Sequence, residues 1–268
     1  MIALFLGIAL AYIPHSHFIL QQMGENHGSG TYQIVQELAF QNADERVVIQ
    51  ETWTVDEGLQ MHLEAKGPDV LYTAKYDFRA KYFLSQDKRL VKADLPKEFF
   101  ENLFYLKEAK DIARRLYNMG VIGAEILSPQ KRFYHLSQVE YKGQAFLNLS
   151  RLDEQIAFAF GYDLNQNKPG FWVSQSDFHL KKIRMPNGTT ILADNYDVYT
   201  KNLHLPKQRS LEWGPNKTPI QILSVSRIIH GPNTKKLLST SNIDGLSPIQ
   251  FGEKEIYKAI QSFYQRFR

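Results

Sequence analysis

The sequence predicts a mostly β protein of the α+β class, built on a single antiparallel sheet of about ten or eleven strands. Three observations lead to this prediction. Apolar and polar residues alternate with a period of two over residues 31–78 and again after residue 155. Turn-forming residues separate these stretches at short intervals. Residues 96–117 and 252–268 instead repeat their apolar residues at helical spacing. One apolar face per strand indicates a sheet with one buried side.

Four consecutive strands are predicted between residues 31 and 78. The turns between them are short and include Gly67-Pro68. Strands joined by tight turns pair antiparallel, so the four apolar faces should lie side by side. That shared face consists of residues at alternate positions: Tyr32, Ile34, Leu38, Phe40, Val47, Ile49, Trp53, Val55, Leu59, Met61, Leu63, Ala65, Val70, Tyr72, Ala74, Tyr76 and Phe78.

Residues 96–117 are predicted to form one amphipathic helix. Asp94 is suited to its N-cap, Pro96 to its first turn and Gly120 to its C-cap. Gly123 follows shortly after, and glycines at a helix end can absorb a change of backbone dihedrals. We therefore expect this helix to act as a lid over an exchangeable ligand. Its apolar stripe begins with four large side chains: Phe99, Phe100, Leu103 and Phe104.

The remaining strands are predicted over residues 131–139, 144–149, 155–164, 171–175, 179–185, 190–199, 203–213 and 220–229. Asn187-Gly188 predicts a tight hairpin, because both residues tolerate positive φ. The apolar face shifts between Lys181 and Lys182, which predicts a β-bulge. Residues 231–250 are rich in Gly, Pro, Ser, Thr and Asn and are expected to be loop. A last helix is predicted over residues 252–268, with one apolar stripe: Ile256, Ala259, Ile260, Phe263 and Phe267.

The composition excludes several classes of function. The 32 basic and 28 acidic residues are scattered and leave a net charge of only +4, which argues against a nucleic-acid partner. The chain has no cysteine, which excludes disulfides, thiolate zinc sites and cysteine nucleophiles.

Residues 1–11 form an uncharged apolar run that ends in Ala-Leu-Ala and is shorter than the ~20 residues that cross a bilayer. A signal peptide at residues 1–11 is expected, with a buried N-terminal strand as the alternative.

The order of strands and turns within residues 170–213 resembles the LolA-like family of outer-membrane lipoprotein-sorting and carrier proteins. One strand ends at Phe171-Trp172-Val173, a second at the Asn187-Gly188 turn and a third at Asp194-Asn195-Tyr196, and a fourth surrounds Leu205-Pro206. Residues 19–38 are similar to the family's opening helix, Gly-rich turn and first strand. The resemblance extends over residues 19–230. It implies a half-barrel, in which a strongly curved sheet wraps around plug or lid helices and encloses an apolar cavity. Residues 231–268 are an extension that the resemblance does not place.

The resemblance also implies a function. It implies a periplasmic binding or carrier protein, a monomer without enzymatic activity or cofactor. The expected ligands are the acyl chains of a lipid or of a lipidated protein, and an acceptor protein in the inner or outer membrane is a further expected partner. The ligand-binding residues are expected on the apolar face of the first four strands and on the middle helix: Tyr32, Ile34, Leu38, Ile49, Glu51, Trp53, Met61, Leu63, Tyr72, Phe99, Phe100, Leu103 and Phe104.

Glu51 lies on the apolar face of its strand, between Ile49 and Trp53. A buried carboxylate has to be paired, protonated or in contact with a wet cavity, because burying it bare is costly. Two interpretations follow. Either a basic side chain is its structural partner, or it provides a polar contact for a ligand headgroup or a lid.

Other chemistry has little support in the sequence. No Gly-rich phosphate loop, GxSxG motif or HExxH motif occurs. Gly28-Ser29-Gly30 precedes a strand and is expected to form a turn. His15 and His17 could bind a metal weakly, but a flexible N-terminal segment explains them as well, so no metal site is predicted. Three alternative functions remain open: a periplasmic envelope-stress sensor that binds a membrane regulator, an outer-membrane barrel, and a hydrolase of lipids or glycans.

Overall fold

The computed structural model describes residues 13–57, 59–85, 87–124, 146–152, 154–161 and 166–268. The signal peptide expected at residues 1–11 and the strand expected at 131–139 therefore lie outside the described residues. The helices are α1 (Ser16–Glu25), α2 (Ala109–Asn118), α3 (Pro232–Leu238) and α4 (Glu255–Phe267), and 3₁₀ turns span Glu101–Phe104 and Thr200–Asn202. The strands are β1 (Thr31–Gln41), β2 (Arg46–Asp56), β3 (Gln60–Gly67), β4 (Val70–Tyr76), β5 (Ala80–Leu84), β6 (Leu90–Asp94), β7 (Phe146–Leu152), β8 (Gln155–Gly161), β9 (Gly170–Ser174), β10 (Leu180–Arg184), β11 (Thr190–Tyr199), β12 (Leu203–Trp213), β13 (Asn216–Ile228) and β14 (Gln250–Phe251).

All of these strands belong to one open antiparallel sheet, as predicted. The order across the sheet is β6-β5-β4-β3-β2-β1-β13-β12-β11-β10-β9-β8-β7, and β14 pairs with β4 beside this path. The expected number of ten or eleven strands was wrong, because the described residues alone contribute 14. The sequence pattern missed the β5–β6 hairpin, whose strands have five residues each, and the two-residue β14. Such short strands give too few alternating positions to be recognised.

The apolar faces of the first four strands do lie side by side, but Leu59, expected on this face, lies in the turn before β3 and is 45% exposed. Ile34 of β1 is paired with Trp53 of β2, Trp53 with Leu63 of β3, and Leu63 with Ala74 of β4. Directly paired residues point to the same side of a sheet. These residues are fully buried, and we call this side, on which α1, α2 and α4 pack, the inner face.

The hairpin and the bulge predicted near residue 185 are both present. β10 and β11 are joined through Gly188, whose φ of 86° is accessible to glycine at little cost. The register between β9 and β10 shifts between Leu180 and Lys182. Both predictions were possible because a turn or a bulge depends mainly on a few neighbouring residues.

The single helix predicted over residues 96–117 was wrong. The segment forms a 3₁₀ turn at Glu101–Phe104 and then α2 at Ala109–Asn118, separated by an extended Glu108. The Arg115 side chain of α2 donates hydrogen bonds to the main-chain oxygens of Pro96 and Phe99, so α2 folds back against the start of the segment. The physical reason is burial, since residues 99–106 are all buried, whereas a surface helix can bury only one stripe. We call residues 99–106 the plug segment.

Residues 231–268 pack first on the outer face of the sheet and then on its inner face. The region expected to be loop contains α3 and β14. On the outer face, Lys75 of β4 donates hydrogen bonds to the main-chain oxygen of Ser239 (2.7 Å) and to Oδ1 of Asn242 (2.8 Å), and Thr73 donates to the oxygen of Ser247 (3.0 Å). β14 then pairs with β4 at the sheet edge, and α4 continues onto the inner face. The segment therefore packs against the strands that carry the predicted site.

Candidate functional site

The residues predicted to bind ligand lie together on the inner face and on the plug segment. Each of them is 3% exposed or less. All except Glu51 belong to one cluster of buried apolar side chains. The structure therefore brings the predicted residues together in one buried region.

The plug segment packs directly on the sheet. The ring of Phe99 stacks on that of Tyr76 with centroids 4.8 Å apart and lies 6.3 Å from that of Trp53. On the opposite side, the guanidinium carbon of Arg209 lies over the ring of Phe104, 4.9 Å from the ring centroid. The segment thus contacts both halves of the sheet, β2 and β4 on one side and β12 on the other.

Helix α4 covers the same face and was missed as part of the site. Its Tyr264 ring lies 4.5 Å from that of Tyr72 on β4, and its Phe263 ring lies 5.1 Å from that of Phe40 on β1. Phe267 reaches Trp213 on β12 at 5.6 Å. The sequence did show the apolar stripe of this helix, but a stripe does not say which surface it covers. The side chains of α4 that are buried are Ile256, Tyr257, Ile260, Phe263, Tyr264 and Phe267.

A polar cluster lies where α4, the plug segment and the sheet meet. It consists of Gln36, Glu51, Glu101, Arg209 and Arg268, each at most 4% exposed. Glu51 accepts hydrogen bonds from Arg268 Nε (3.0 Å), from the Gln36 side chain (2.7 Å) and from the indole of Trp53 (3.0 Å). Of the two interpretations of Glu51, the structure shows the one with a basic partner, which is Arg268. The wet cavity that the other interpretation allows is not seen around this carboxylate, which is 0% exposed.

The second carboxylate of the cluster is that of Glu101 on the plug segment. It accepts a hydrogen bond from Arg209 Nη1 at 2.8 Å, and Arg268 Nη2 lies 3.4 Å from its other oxygen. Arg209 also donates to the Gln36 side chain. Burial alone would raise the pKa of Glu101, but the two guanidinium groups hold it below its ordinary value. Two buried carboxylates thus face two guanidinium groups, and Arg268 is the group that contacts both carboxylates.

Lys81 of β5 binds the main chain at the end of α4. Its ammonium donates a hydrogen bond to the main-chain oxygen of Arg268 at 2.8 Å, and the residue is 8% exposed. Burial lowers the pKa of Lys81 to about 8, because the charged form loses hydration. The inner face therefore contacts Arg268 twice, through its side chain and through its main chain.

A second ion pair joins α4, at the rim, to Glu98, the residue directly before the plug segment. Arg266 Nη2 lies 2.9 Å from Oε2 of Glu98, and the guanidinium of Arg266 packs over the ring of Trp213 at 5.2 Å. Glu98 also accepts hydrogen bonds from Thr189 Oγ1 (3.0 Å) and from the Asn187 side chain (2.9 Å). Unlike the polar cluster, this pair is partly exposed.

Two members of the polar cluster could have been recognised in the sequence as buried polar residues. Gln36 interrupts the apolar alternation of β1 between Ile34 and Leu38, and Arg209 does the same before Leu211 in β12. A polar residue at a buried position needs a partner, for the same reason as Glu51 does. Glu101 and Arg268 gave no such signal, because their segments do not continue a clear alternation.

Three further properties of the described residues concern metal binding, surface grooves and membrane-spanning helices. No group of three or more His, Cys, Asp or Glu side chains among them could hold a metal ion. A groove of about 460 Å³ lies on the outer face, lined among others by Glu37, Asp194 and Gln221, and none of the predicted site residues lines it. None of the described helices is both long and apolar enough to cross a membrane.

Comparison with solved structures confirms the predicted resemblance at the level of the fold. A LolA superfamily protein from Nitrosomonas europaea matches with a TM-score of 0.53 and 13% sequence identity, over 85% of this chain and 98% of its own. A DUF1329 family protein from Desulfovibrio piger matches with a TM-score of 0.50 and 8% identity, over 84% of this chain and 98% of its own. No protein-family model and no curated protein matches the sequence. The chain therefore shares the LolA-like half-barrel fold.

Proposed function

We propose that the protein is a non-enzymatic binding or carrier protein that takes up acyl chains, of a lipid or of a lipidated protein, on the inner face of its sheet. The observation that carries this proposal is the cover of that face. It is a broad apolar surface in a LolA-like fold, and its cover consists of the plug segment and the separate helices α1, α2 and α4 rather than of a second sheet. A cover of that kind can leave, whereas a second sheet could not leave without unfolding the core.

The energetics of exchange support this interpretation. An acyl chain needs no specific partner, since each buried methylene contributes about 0.8 kcal/mol. A palmitoyl chain would therefore gain roughly 10 kcal/mol from burial, before ordering costs. The six buried side chains of α4 occupy an apolar surface of the same chemical kind. A bound chain can replace them without creating a cavity, which would itself be costly.

The proposal includes a location and partners. Residues 19–230 form the half-barrel domain, and residues 231–268 form an extension whose last helix covers the inner face. We place the protein in the periplasm as a monomer, with the run at residues 1–11 as its export signal and a protein of the inner or outer membrane as the acceptor of its cargo. These parts rest on the resemblance and on the apolar run.

A titration with a fluorescent palmitate analogue tests the proposal. The purified protein should bind the probe saturably with one-to-one stoichiometry, and denaturing extraction followed by mass spectrometry should release co-purified lipid. Phe267→Ala removes the contact of the Phe267 ring with Trp213 and so destabilises the state in which α4 covers the inner face. It should therefore tighten probe binding by at least about threefold.

The matched control is Ile229→Ala, which truncates a side chain that is 89% exposed. It should leave the probe affinity unchanged. If wild-type protein shows no saturable binding, or if Ile229→Ala weakens binding while Phe267→Ala has no effect, the inner face is not the binding site.

A further inference from the structure

Removal of α4 from the inner face would leave two buried carboxylates with one guanidinium. Arg268 would leave with the helix, and Arg209, which contacts Glu101 and Gln36, would remain. Glu51 would then keep only neutral hydrogen-bond donors, Gln36 and Trp53. A buried carboxylate without a cation is strongly destabilising. Whatever occupies this space in place of α4 is therefore favoured if it brings a cation to Glu51.

The same movement would leave Lys81 without its acceptor. Its ammonium donates to the main-chain oxygen of Arg268, and the residue is almost fully buried. Arg268 thus supplies a cation and a hydrogen-bond acceptor to neighbouring positions on the inner face. A ligand that replaces both contacts has to carry a cation close to an anion or acceptor.

We propose that Arg268 occupies a headgroup site, an inference that rests on the proposed function. The ligand that displaces α4 is a zwitterionic lipid of the phosphoethanolamine type, with an N–H-bearing ammonium next to a phosphate. Its ammonium takes the place of the Arg268 guanidinium at Glu51 and Glu101, and its phosphate takes the place of the Arg268 oxygen at Lys81. Its acyl chain occupies the space of Phe263 and Phe267.

Other headgroups satisfy fewer of these contacts. An anionic phosphoglycerol headgroup serves Lys81 through its phosphate, but its glycerol is neutral and brings no cation to Glu51. A phosphocholine headgroup has the same net charge as phosphoethanolamine, but its quaternary ammonium has no N–H to donate to a carboxylate. A monoacylglycerol serves neither charged group. These lipids can be compared with one acyl chain, so that the headgroup is the only variable.

The experiment is a displacement titration of the fluorescent palmitate analogue with four palmitoyl lipids below their micelle concentrations: lysophosphatidylethanolamine, lysophosphatidylcholine, lysophosphatidylglycerol and monopalmitoylglycerol. Lysophosphatidylethanolamine should bind at least about tenfold more tightly than each of the others, as expected for hydrogen bonds to a buried charge. Free phosphoethanolamine is included to separate the headgroup alone from the lipid, and it should not displace the probe.

Two variants locate the preference. Arg268→Ala removes the occupant of the headgroup site, so it should tighten the binding of lysophosphatidylethanolamine more than that of monopalmitoylglycerol. Glu51→Gln should reduce the preference over monopalmitoylglycerol to about twofold or less, since a neutral amide attracts no cation. If Glu51→Gln does not fold, the wild-type series and Glu101→Gln still decide the question.

The outcomes separate this inference from the proposed function. Equal affinity for all four lipids, or tighter binding of lysophosphatidylglycerol, overturns the headgroup site while leaving acyl-chain binding intact. Equal affinity is also the result expected if Lys81 pairs with Glu51 once Arg268 has left. Failure of every lipid and of the probe to bind contradicts the proposed function itself.

Discussion

At the scale of single residues, Glu51 illustrates what a sequence can and cannot reveal. Its place in an apolar alternation was sufficient to predict that it faces inward and that it needs a partner. The partner, Arg268, lies 217 positions away in the sequence. Such a pairing depends on how the last helix packs, and no local pattern contains that information.

The first prediction concerns this pair. Glu51→Gln and Arg268→Met should each lower the free energy of unfolding by about 3 kcal/mol, because each removes one charge of a fully buried ion pair and leaves the opposite charge poorly compensated. The double variant should lose less than the sum of the two, by at least about 1 kcal/mol. Urea denaturation of the four proteins measures this coupling. Glu212→Gln, at a pair exposed to solvent, is the control and should have little effect. Additive losses would mean that the two charges do not interact in the folded protein.

The second prediction concerns His27, whose Nδ1 lies 2.6 Å from the main-chain oxygen of Leu106. Burial, with the nearby His179 and His204, lowers the pKa of His27 from 6.5 to about 4. Between these values the unfolded chain binds more protons than the folded one, so stability should fall as the pH falls from 6.5 towards 4 and should be insensitive to His27 above 6.5. The contribution is at most about 3 kcal/mol.

Thermal melts between pH 7.5 and 4.5 check this prediction. His27→Gln keeps a donor for Leu106 but does not titrate, so its stability should fall less steeply below pH 6.5. His17→Gln, at an exposed position, should follow the wild type. If His27→Gln retains the full acid sensitivity, the buried imidazole is not its source.

At the scale of elements, the strands could be predicted wherever one face is buried and the other is solvated. β1, β2 and the β10–β11 hairpin are of this kind, and β4 keeps the same alternation in its sequence although residues 239–247 cover its outer face. The plug segment could not be predicted. Its run of large apolar residues suggested a helix, but burial on several sides at once favours an irregular path. The contact of α4 with the inner face was equally invisible, because it depends on the path of residues 231–254 around the sheet edge.

The third prediction tests how that path is held. Lys75→Met removes the ammonium that donates to Ser239 and Asn242. Amide hydrogen exchange in residues 236–247 should become at least about tenfold faster, since a hydrogen bond to a charged group contributes about 1.5–3 kcal/mol. Lys66→Met, at an outward-facing position of the neighbouring strand, is the matched control and should leave these amides unchanged. Unchanged exchange in Lys75→Met would show that the outer-face contacts do not hold the segment.

At the scale of the whole molecule, a single open sheet buries its apolar inner face under the plug segment and helices. Of these, α4 is also attached through ion pairs. α4 is joined to the rest by the buried cluster around Arg268 and by the partly exposed pair of Arg266 with Glu98. The fold class and the inner face could be predicted from the sequence, since both follow from the pattern of the strands. What occupies that face depends on long-range packing and had to be seen in the structure.

The central claim is that acyl chains bind in the space that α4 covers, and the most direct test is to fix α4 in place. Because the chain has no cysteine, Glu98→Cys together with Arg266→Cys allows a short bismaleimide to link α4 to the residue directly before the plug segment, at these two positions alone. The affinity for the fluorescent palmitate analogue is then measured before and after linking. We predict that the unlinked double variant binds the analogue at least as tightly as the wild type. Linking should weaken this binding by at least about tenfold, which corresponds to a loss of about 1.4 kcal/mol or more of binding free energy. Undiminished binding by the linked protein would contradict the claim, because the ligand would then occupy a site that does not require α4 to move.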